Sequence, residues 1–379
     1  MAQSLPGQAS SVGPAQAAKG PVVNALAGAT LRALPRIPNP VKRLLLGGHS
    51  ISIDGNTLDT TLQLLLAAQT AVGLNALIAS PDVGASRTQL RILTASFKKN
   101  IPVAAVTNLS IPGPESSIRA RHYRPIDAQG QPLLVFYHGG GQVIGDLETH
   151  DDLCRQICRE GGLHVLSVDY RLAPEHKAPA GADDAYAAFR WAIEHAGELG
   201  ADPGRVAVGG DSAGGNLAAV VSQRARNEGA RLPALQLLFY PVTNYSGETR
   251  SQTLFAKGFF LTKQDLDWCR DWFLTGGPVD GLDPRVSPLL ADDLSGLPPT
   301  LLLTAGFDPL RDEGEAYAQA LREAGNVVAQ RRFEGLIHGF FNMSGVSRVS
   351  RDAVVEIAGA TRALLATTGS RTEAGVATG

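Results

Sequence analysis

The sequence is poor in cysteine and nearly free of net charge, and both shortages exclude whole classes of protein. Three cysteines among 379 residues do not make a disulfide framework, and this usage is typical of a reducing compartment. The formal net charge is −2, so no basic field exists to attract nucleic acid. We therefore expect a cytoplasmic protein without a nucleic-acid partner.

A long uninterrupted apolar run is also absent. The longest apolar stretch, residues 62–79, contains four polar residues and reads as a buried or amphipathic helix, so no transmembrane segment is predicted. The apolar run at residues 22–29 is short, and the chain begins without a basic region, so a secretory signal is not expected.

The chain is organised around a strand, a glycine-rich bend and a helix near its middle. Apolar residues 206–208 lead into a Gly-x-Ser-x-Gly pentapeptide at residues 210–214, and an Ala/Val-rich helical pattern follows. A nucleophilic serine needs such a bend, because small residues on either side let strand and helix approach closely. Ser212 is therefore a candidate nucleophile, and a glycine-rich turn with an idle serine is the alternative.

The hydrophobic pattern divides the chain into segments of different character. Residues 1–36 are rich in Ala, Gly, Pro, Ser and Gln and are predicted to be disordered. Residues 37–105 carry helical patterns and no strand signal, which predicts a helical unit. Residues 106–366 alternate apolar strands with helices, which predicts an α/β fold with a mostly parallel sheet covered by helices on both faces. Residues 367–379 are predicted to form a disordered tail.

Two segments of the predicted core depart from its regular alternation. Residues 244–284 contain aromatic residues at helical spacings and no strand. We expect them to form a lid over the strand ends, where ligands bind, or another packed helical pair, and the two are not exclusive. The sequence VVAQRRF at residues 327–333 alternates in polarity, which predicts an edge strand and, through its exposed hydrogen-bonding edge, a homodimer.

A serine nucleophile requires a base and a group that orients the base. His338 lies in the loop after the last predicted strand, at the sheet edge where the serine bend also opens. Asp308 follows the predicted strand at residues 300–304 and is the expected orienting acid. Asp312 and Glu313 are rivals, but both fall in the first turn of the next helix, where an acidic residue has a simple capping role.

Donors for an oxyanion are suggested by the segment His138-Gly-Gly-Gly at residues 138–141, directly after the strand at residues 133–137. Three glycines allow a path that turns N–H groups into a pocket, where the N–H of Ala213 can join them. Phosphate binding is the alternative, but neither a Gly-x-Gly-x-x-Gly pattern nor a P-loop lysine is present. His138 is expected to orient this loop by hydrogen bonding.

At this point the chain resembles the hormone-sensitive-lipase-like group of α/β-hydrolase esterases, over residues of about 121 to 366. The resemblance rests on six ordered motifs: HGGG at 138–141, DYRLAPEH at 169–176, GDSAG at 210–214, SPLL at 287–290, DPLRDE at 308–313 and HGF at 338–340. It implies Ser212 as nucleophile, His338 as base and Asp308 as its orienting acid, in the chain order of α/β-hydrolases.

The resemblance also implies features around the triad. Oxyanion donors would come from Gly139, Gly140 and Ala213, and a cap built from the N-terminal helices and residues 244–284 would cover an acyl pocket. The residues expected to line this pocket are Gln142, Phe260, Leu261 and Phe340. Gln142 stands where relatives often carry an aromatic residue, which predicts a more polar wall.

The predicted function is that of a serine carboxylesterase acting on small esters of short to medium acyl chain length. Such a mechanism proceeds through an acyl-enzyme and requires neither a metal nor an organic cofactor. A long-chain lipase or an amidase using the same triad remains an alternative. From a different class, a catalytically idle hydrolase fold that serves as a small-molecule receptor is the further alternative.

Overall fold

A computed structural model describes residues 33–71, 76–78 and 80–374 of the chain. Its strands are β1 (Ser52–Ile53), β2 (Asn56–Thr57), β3 (Ala105–Ile111), β4 (Ile118–Arg124), β5 (Gln131–Tyr137), β6 (His164–Asp169), β7 (Ala201–Asp211), β8 (Gln236–Phe239), β9 (Thr300–Phe307) and β10 (Val328–Ile337).

The first α-helix precedes these strands, the last follows them, and the others lie between them. They are α1 (Asn39–Leu45), α2 (Thr60–Ala71), α3 (Val83–Phe97), α4 (Asp151–Gly161), α5 (Ala180–His195), α6 (Ala213–Asn227), α7 (Arg250–Leu254), α8 (Lys263–Leu274), α9 (Arg311–Glu323) and α10 (Arg348–Ala374). No helix in the described part of the chain is both long and apolar enough to span a membrane.

Eight strands form one sheet in the order β10-β9-β8-β7-β5-β6-β4-β3. Neighbouring strands from β10 to β6 are parallel, whereas β4 pairs antiparallel with both β6 and β3. The predicted α/β architecture with a mostly parallel sheet is thus confirmed. Parallel neighbours place their carboxyl ends at one edge, and this edge carries the candidate site.

Both faces of the sheet are buried under helices, as its nearly continuous apolar strands require. Successive side chains of β5 point to opposite faces. Leu134 and Phe136 join a core that includes Leu153 and Ile157 of α4, while Val135 packs on the other side. That second side is covered by α5, α6 and α9.

The predicted helical unit at residues 37–105 differs from the structure, because it contains the antiparallel pair β1–β2. Each strand has only two residues, too short for an alternating pattern to register. Asp54 and Gly55 between them have φ values of +53° and +76°. An Asp-Gly pair with two positive φ angles is typical of a two-residue hairpin turn, so this dipeptide was the signal available.

Both predicted disordered termini are also partly ordered. Most of the segment 1–36 lies outside the described residues, but Leu34–Arg36 form a 3₁₀ turn and Leu34 is buried. At the other end, α10 continues to Ala374 and so extends into the segment 367–379 that is predicted to be a disordered tail. Residues 375–379 lie outside the described part.

Strand β3 lies at the end of the sheet and leaves most of its residues partly or fully exposed. It pairs with β4 along one of its edges, with Ala105 opposite Arg124 and Ile111 opposite Ile118. A strand with so little burial lacks the apolar alternation from which strands are predicted.

Two helices outside the sheet are held over the carboxyl edge by buried polar contacts. Helix α8 begins at a capping box in which Thr262 and Asp265 exchange hydrogen bonds. The Asp265 carboxylate also accepts the N–H groups of Leu77 and Ile78, at 3.2 and 2.9 Å, so the insertion is joined to the N-terminal region. Helix α3 is fixed to the core by Arg87, which donates to the Val143 and Ala173 carbonyls and to Glu175.

Candidate active site

Three polar residues occupy equivalent positions at the carboxyl edge of the sheet. Ser212 is the first residue after β7, Asp308 the first after β9 and His338 the first after β10. These strands run parallel, so residues that are widely separated in sequence converge at the same edge.

Ser212 lies in a strained bend between β7 and α6. Its φ and ψ are +57° and −117°, a conformation that costs about 1–3 kcal/mol for a residue other than glycine. The bend is held by the Ser212 N–H, which donates to the Phe239 carbonyl at 2.8 Å. A Cβ on Gly210 or Gly214 would lie 2.3 or 1.9 Å from the Tyr137 carbonyl oxygen, so both flanking glycines are required sterically.

A continuous chain of hydrogen bonds joins the three polar side chains. His338 Nε2 lies 3.0 Å from Ser212 Oγ, and His338 Nδ1 lies 2.8 Å from Asp308 Oδ2. Asp308 is held from its other oxygen by the Leu310 N–H at 2.8 Å. All three side chains are buried. The arrangement can therefore move a proton from the serine hydroxyl to an imidazole whose second nitrogen faces a carboxylate.

The two rival acids face elsewhere. Asp312 accepts a hydrogen bond from the Ser251 N–H and from Arg311. Glu313 is buried and accepts the N–H of Thr243 at 2.8 Å, and its burial raises its pKa to about 8. Neither carboxyl group makes a hydrogen bond to His338.

The glycine loop after β5 follows the predicted path but uses its first N–H differently. The Gly139 N–H donates to Asp211 Oδ1 at 2.9 Å. Gly139 was predicted as an oxyanion donor, and this prediction is wrong for the described arrangement because the N–H is already committed to a buried carboxylate. The Tyr170 hydroxyl donates to the His138 carbonyl at 2.7 Å, and the two rings stack with centroids 4.4 Å apart.

The next two glycines have backbone N–H groups that are not engaged as that of Gly139 is. Gly140 and Gly141 have φ values of +123° and +63°, and both line the cleft above Ser212. Within the described ranges, their N–H groups and that of Ala213 make no backbone hydrogen bond, so three donors remain for a ligand. Gly141 was not among the predicted donors, although the third glycine of the motif was available as a signal.

The cleft above Ser212 is walled by the helices held over the sheet edge. It encloses about 1140 Å³, including its mouth, which is open to solvent. Apolar side chains predominate in the described wall, and they come from α3, from α8 and from the segments beside them: Leu77, Ile78, Leu90, Leu93, Phe97, Leu266, Cys269 and Met343. Such a wall suits the hydrocarbon part of a small molecule.

The four predicted pocket residues divide into two pairs. Phe260 and Leu261 line the cleft. Gln142 does not, because it is buried behind the glycine loop, where its side-chain amide faces the Ala213 carbonyl at 3.4 Å. Phe340 is likewise buried, packed against Phe341 with ring centroids 4.3 Å apart. The prediction that Gln142 forms a polar wall of the cleft is therefore wrong. The backbone at Gln142 has a positive φ, and this turn of the loop directs the side chain away from the cleft.

The chain is similar to proteins of known family. Residues 134–342 match a family model described as the alpha/beta hydrolase fold. The chain is 54% identical over 340 residues to the carboxylic ester hydrolase LipN of Mycobacterium tuberculosis, covering 88% of this chain and 90% of that protein. This chain belongs to the α/β-hydrolase family.

Further α/β-hydrolase relatives support the same assignment. The chain is 39% identical over 245 residues to an ethyl acetate hydrolase of Pseudomonas putida, covering 64% of this chain and 77% of that enzyme. The crystal structure of a hyperthermophilic esterase from Pyrobaculum calidifontis superposes with a TM-score of 0.75 at 41% identity, covering 81% of this chain and 98% of that one. The predicted place in the hormone-sensitive-lipase-like group is confirmed.

Proposed function

We propose that this chain, a carboxylic ester hydrolase, cleaves its substrate by acyl transfer through Ser212, with His338 as general base and Asp308 as the acid that orients it. The observation that carries the assignment is the hydrogen-bonded chain from Ser212 Oγ through both nitrogens of His338 to the buried Asp308 carboxylate. It lies at the floor of an apolar cleft that can receive the ester.

The protons are arranged for attack by the serine. Asp308 accepts a hydrogen bond from the protonated Nδ1 of His338, which leaves the unprotonated Nε2 free to accept the proton of Ser212. As the Ser212 oxygen bonds to the ester carbonyl carbon, its proton passes to His338 and the carbonyl oxygen becomes an anion. The adjacent Asp308 carboxylate stabilises the imidazolium that forms.

The developing oxyanion is received by backbone N–H groups. Gly140, Gly141 and Ala213 supply these donors, and the N-terminus of α6 at Ala213 adds a favourable dipole. One donor of this kind typically lowers the barrier by about 2.7–4 kcal/mol. His338 then protonates the leaving alcohol, the carbon–oxygen bond to that alcohol breaks, and water repeats the sequence on the acyl-enzyme.

The cleft favours acyl chains of short to medium length. Each methylene that enters its apolar wall is worth about 0.8 kcal/mol, which corresponds to a rise in kcat/KM of about fourfold. Methylenes that extend past the cover formed by α3 and α8 gain no such burial. We regard these two helices as the cap of the active site, built from the N-terminal region and the 244–284 insertion.

A series of p-nitrophenyl esters from acetate to palmitate tests this proposal. We expect kcat/KM to rise by about fourfold per methylene at first and then to level or fall before the long chains. A continuous rise to palmitate, with activation at an emulsion interface, would instead indicate a long-chain lipase. A folded protein that hydrolyses none of the esters would favour a non-catalytic receptor, and parallel assays on the matching anilides detect an amidase.

A homodimer through β10 is the second part of this proposal. Among the described residues β10 pairs with β9 alone, and Val327 at its start is 61% exposed while Phe333 is buried. The Val327 carbonyl accepts the Thr300 N–H of the β9 side, so the N–H of Gln330 is turned toward the open edge.

We also place the protein in the cytoplasm, since its three cysteines are buried thiols without disulfides.

Light scattering on the wild type and on Gln330→Pro tests the dimer. Proline removes an N–H that only edge-to-edge pairing would use, so we expect a dimeric wild type and a monomeric variant of unchanged ester hydrolysis. A monomeric wild type at micromolar concentration would remove the hypothesis.

A further inference from the structure

A buried polar network lies directly behind the nucleophile and takes no part in the proton transfers described above. Its centre is Asp211, the residue before Ser212. The Asp211 carboxylate accepts the Gly139 N–H at 2.9 Å and lies 3.2 and 3.3 Å from His150 Nε2. Asn342 Nδ2 approaches it at 3.4 Å. Burial alone would raise the pKa of Asp211, but His150 and the Gly139 N–H lower it below its usual value.

The network holds the start of the oxyanion loop. A Cβ on Gly139 would lie 2.6 Å from Asp211 Oδ2 and 2.9 Å from the Asp211 carbonyl oxygen, so the loop rests on this residue without space between them. Gly140 and Gly141, the next two residues, line the cleft, and their N–H groups are the proposed oxyanion donors. Any shift of Gly139 is therefore passed along the backbone to these donors.

His150 is fixed on its other side by the turn before α4. Its Nδ1 lies 2.9 Å from Thr149 Oγ1, and that hydroxyl also contacts the backbone N–H and carbonyl of Asp146, at 2.9 and 2.8 Å. The Asp146 carboxylate forms an ion pair with Arg91 of α3. The imidazole is thus held between a rigid turn and the Asp211 carboxylate, and its ring is buried at the wall of the cleft.

We propose that His150 is a positioning residue for the oxyanion site, acting through the Asp211 carboxylate and the Gly139 N–H on the donors of Gly140 and Gly141. An ionised carboxylate that is buried needs its donors, because an unpaired buried charge is strongly unfavourable. Without His150, the carboxylate is expected to rotate or take up a proton, and its bond to Gly139 weakens. The inference rests on the proposed acyl-transfer function.

Because the network positions the donors for the oxyanion, its loss should reduce the stabilisation of the transition state more than the binding of the substrate in the ground state. A misplacement of about 1 Å can cost about 100-fold in rate. The expected signature is a fall in kcat at nearly constant KM, with a parallel loss of affinity for a transition-state analogue. A trifluoromethyl ketone is such an analogue, because Ser212 adds to its carbonyl carbon and leaves a tetrahedral oxyanion while His338 takes the proton.

The test compares His150→Leu, which removes the donor, with His150→Gln, whose amide nitrogen can replace Nε2 as a donor. For His150→Leu we expect kcat to fall about 30–100-fold, KM to change less than threefold and the inhibition constant of the ketone to rise by the same factor as kcat falls. His150→Gln should recover activity to within about fivefold. His122→Leu, at a buried histidine on β4 far from the cleft, controls for the loss of a buried imidazole.

Three results would overturn the inference. They are an unchanged kcat in His150→Leu, a fall in kcat without a matching change in ketone affinity, and a failure of His150→Gln to recover what His150→Leu loses. If His150→Leu does not fold, His150→Asn carries the test, because its side chain is too short to reach Asp211 and the same losses are expected. Wild-type protein that hydrolyses no ester would instead defeat the proposed function itself.

Discussion

Replacing Ser212 with alanine is expected to lower kcat on p-nitrophenyl butyrate by about 10⁶-fold, because Ser212 is the residue that we propose forms the acyl-enzyme. The hydroxyl is held 3.0 Å from His338 Nε2, and in the proposed mechanism its oxygen bonds to the substrate carbon. The fold should tolerate the change, since the strained bend is fixed by backbone contacts such as the Ser212 N–H to the Phe239 carbonyl.

A matched control for this variant lies on the helix that follows. Ser222 is buried on α6 and its hydroxyl donates to the Ala218 carbonyl at 2.8 Å, away from the cleft. Ser222→Ala should keep kcat within about threefold. Activity that survives Ser212→Ala at more than about 1% of the wild type would mean that the nucleophile has been misassigned.

Asp308→Asn is expected to lower kcat by about 10⁴-fold while leaving KM nearly unchanged. The amide that replaces the carboxylate can donate to His338 Nδ1, which favours the tautomer with its proton on Nε2. That nitrogen then cannot accept the proton of Ser212. Steady-state kinetics on p-nitrophenyl butyrate, with thermal unfolding recorded alongside, measures the effect.

The neighbouring acid provides the control for this second prediction. Asp312→Asn changes a carboxylate that faces Ser251 and Arg311, not His338, so kcat should stay within about threefold. If the two variants lost activity equally, the orienting role of Asp308 would be contradicted. A large loss in Asp312→Asn alone would move that role to the rival residue.

Much of the site could be predicted from the sequence because its residues directly follow strands that the sequence pattern reveals. Ser212 and Asp308 follow β7 and β9, whose buried apolar residues make them recognisable, and His338 follows β10, whose alternating polarity marks an edge strand. Parallel strands then place their carboxyl ends together, so the topology alone brings these three residues to one edge. The steric need for glycine on both sides of Ser212 was also predictable, since strand and helix must approach closely there.

The remainder depends on contacts that no local pattern encodes. Gly139, Gly140 and Gly141 are equivalent in the sequence, and only the approach of the Asp211 carboxylate decides that the first N–H is taken. Gln142 and Phe340 are adjacent to cleft residues, yet loop conformation turns them into the interior. The orientation of such loop side chains is set by tertiary packing, which spacing along the chain cannot report.

Labelling with a fluorophosphonate probe, followed by peptide mapping, tests the central claim most directly. The activated Ser212 oxygen should bond to phosphorus and displace fluoride, giving one adduct per chain on the peptide that contains Ser212. Heat-denatured protein and Ser212→Ala should remain unlabelled, because reaction requires the hydroxyl held against His338. A folded wild type that stays unmodified, or one modified at another serine, would contradict the account.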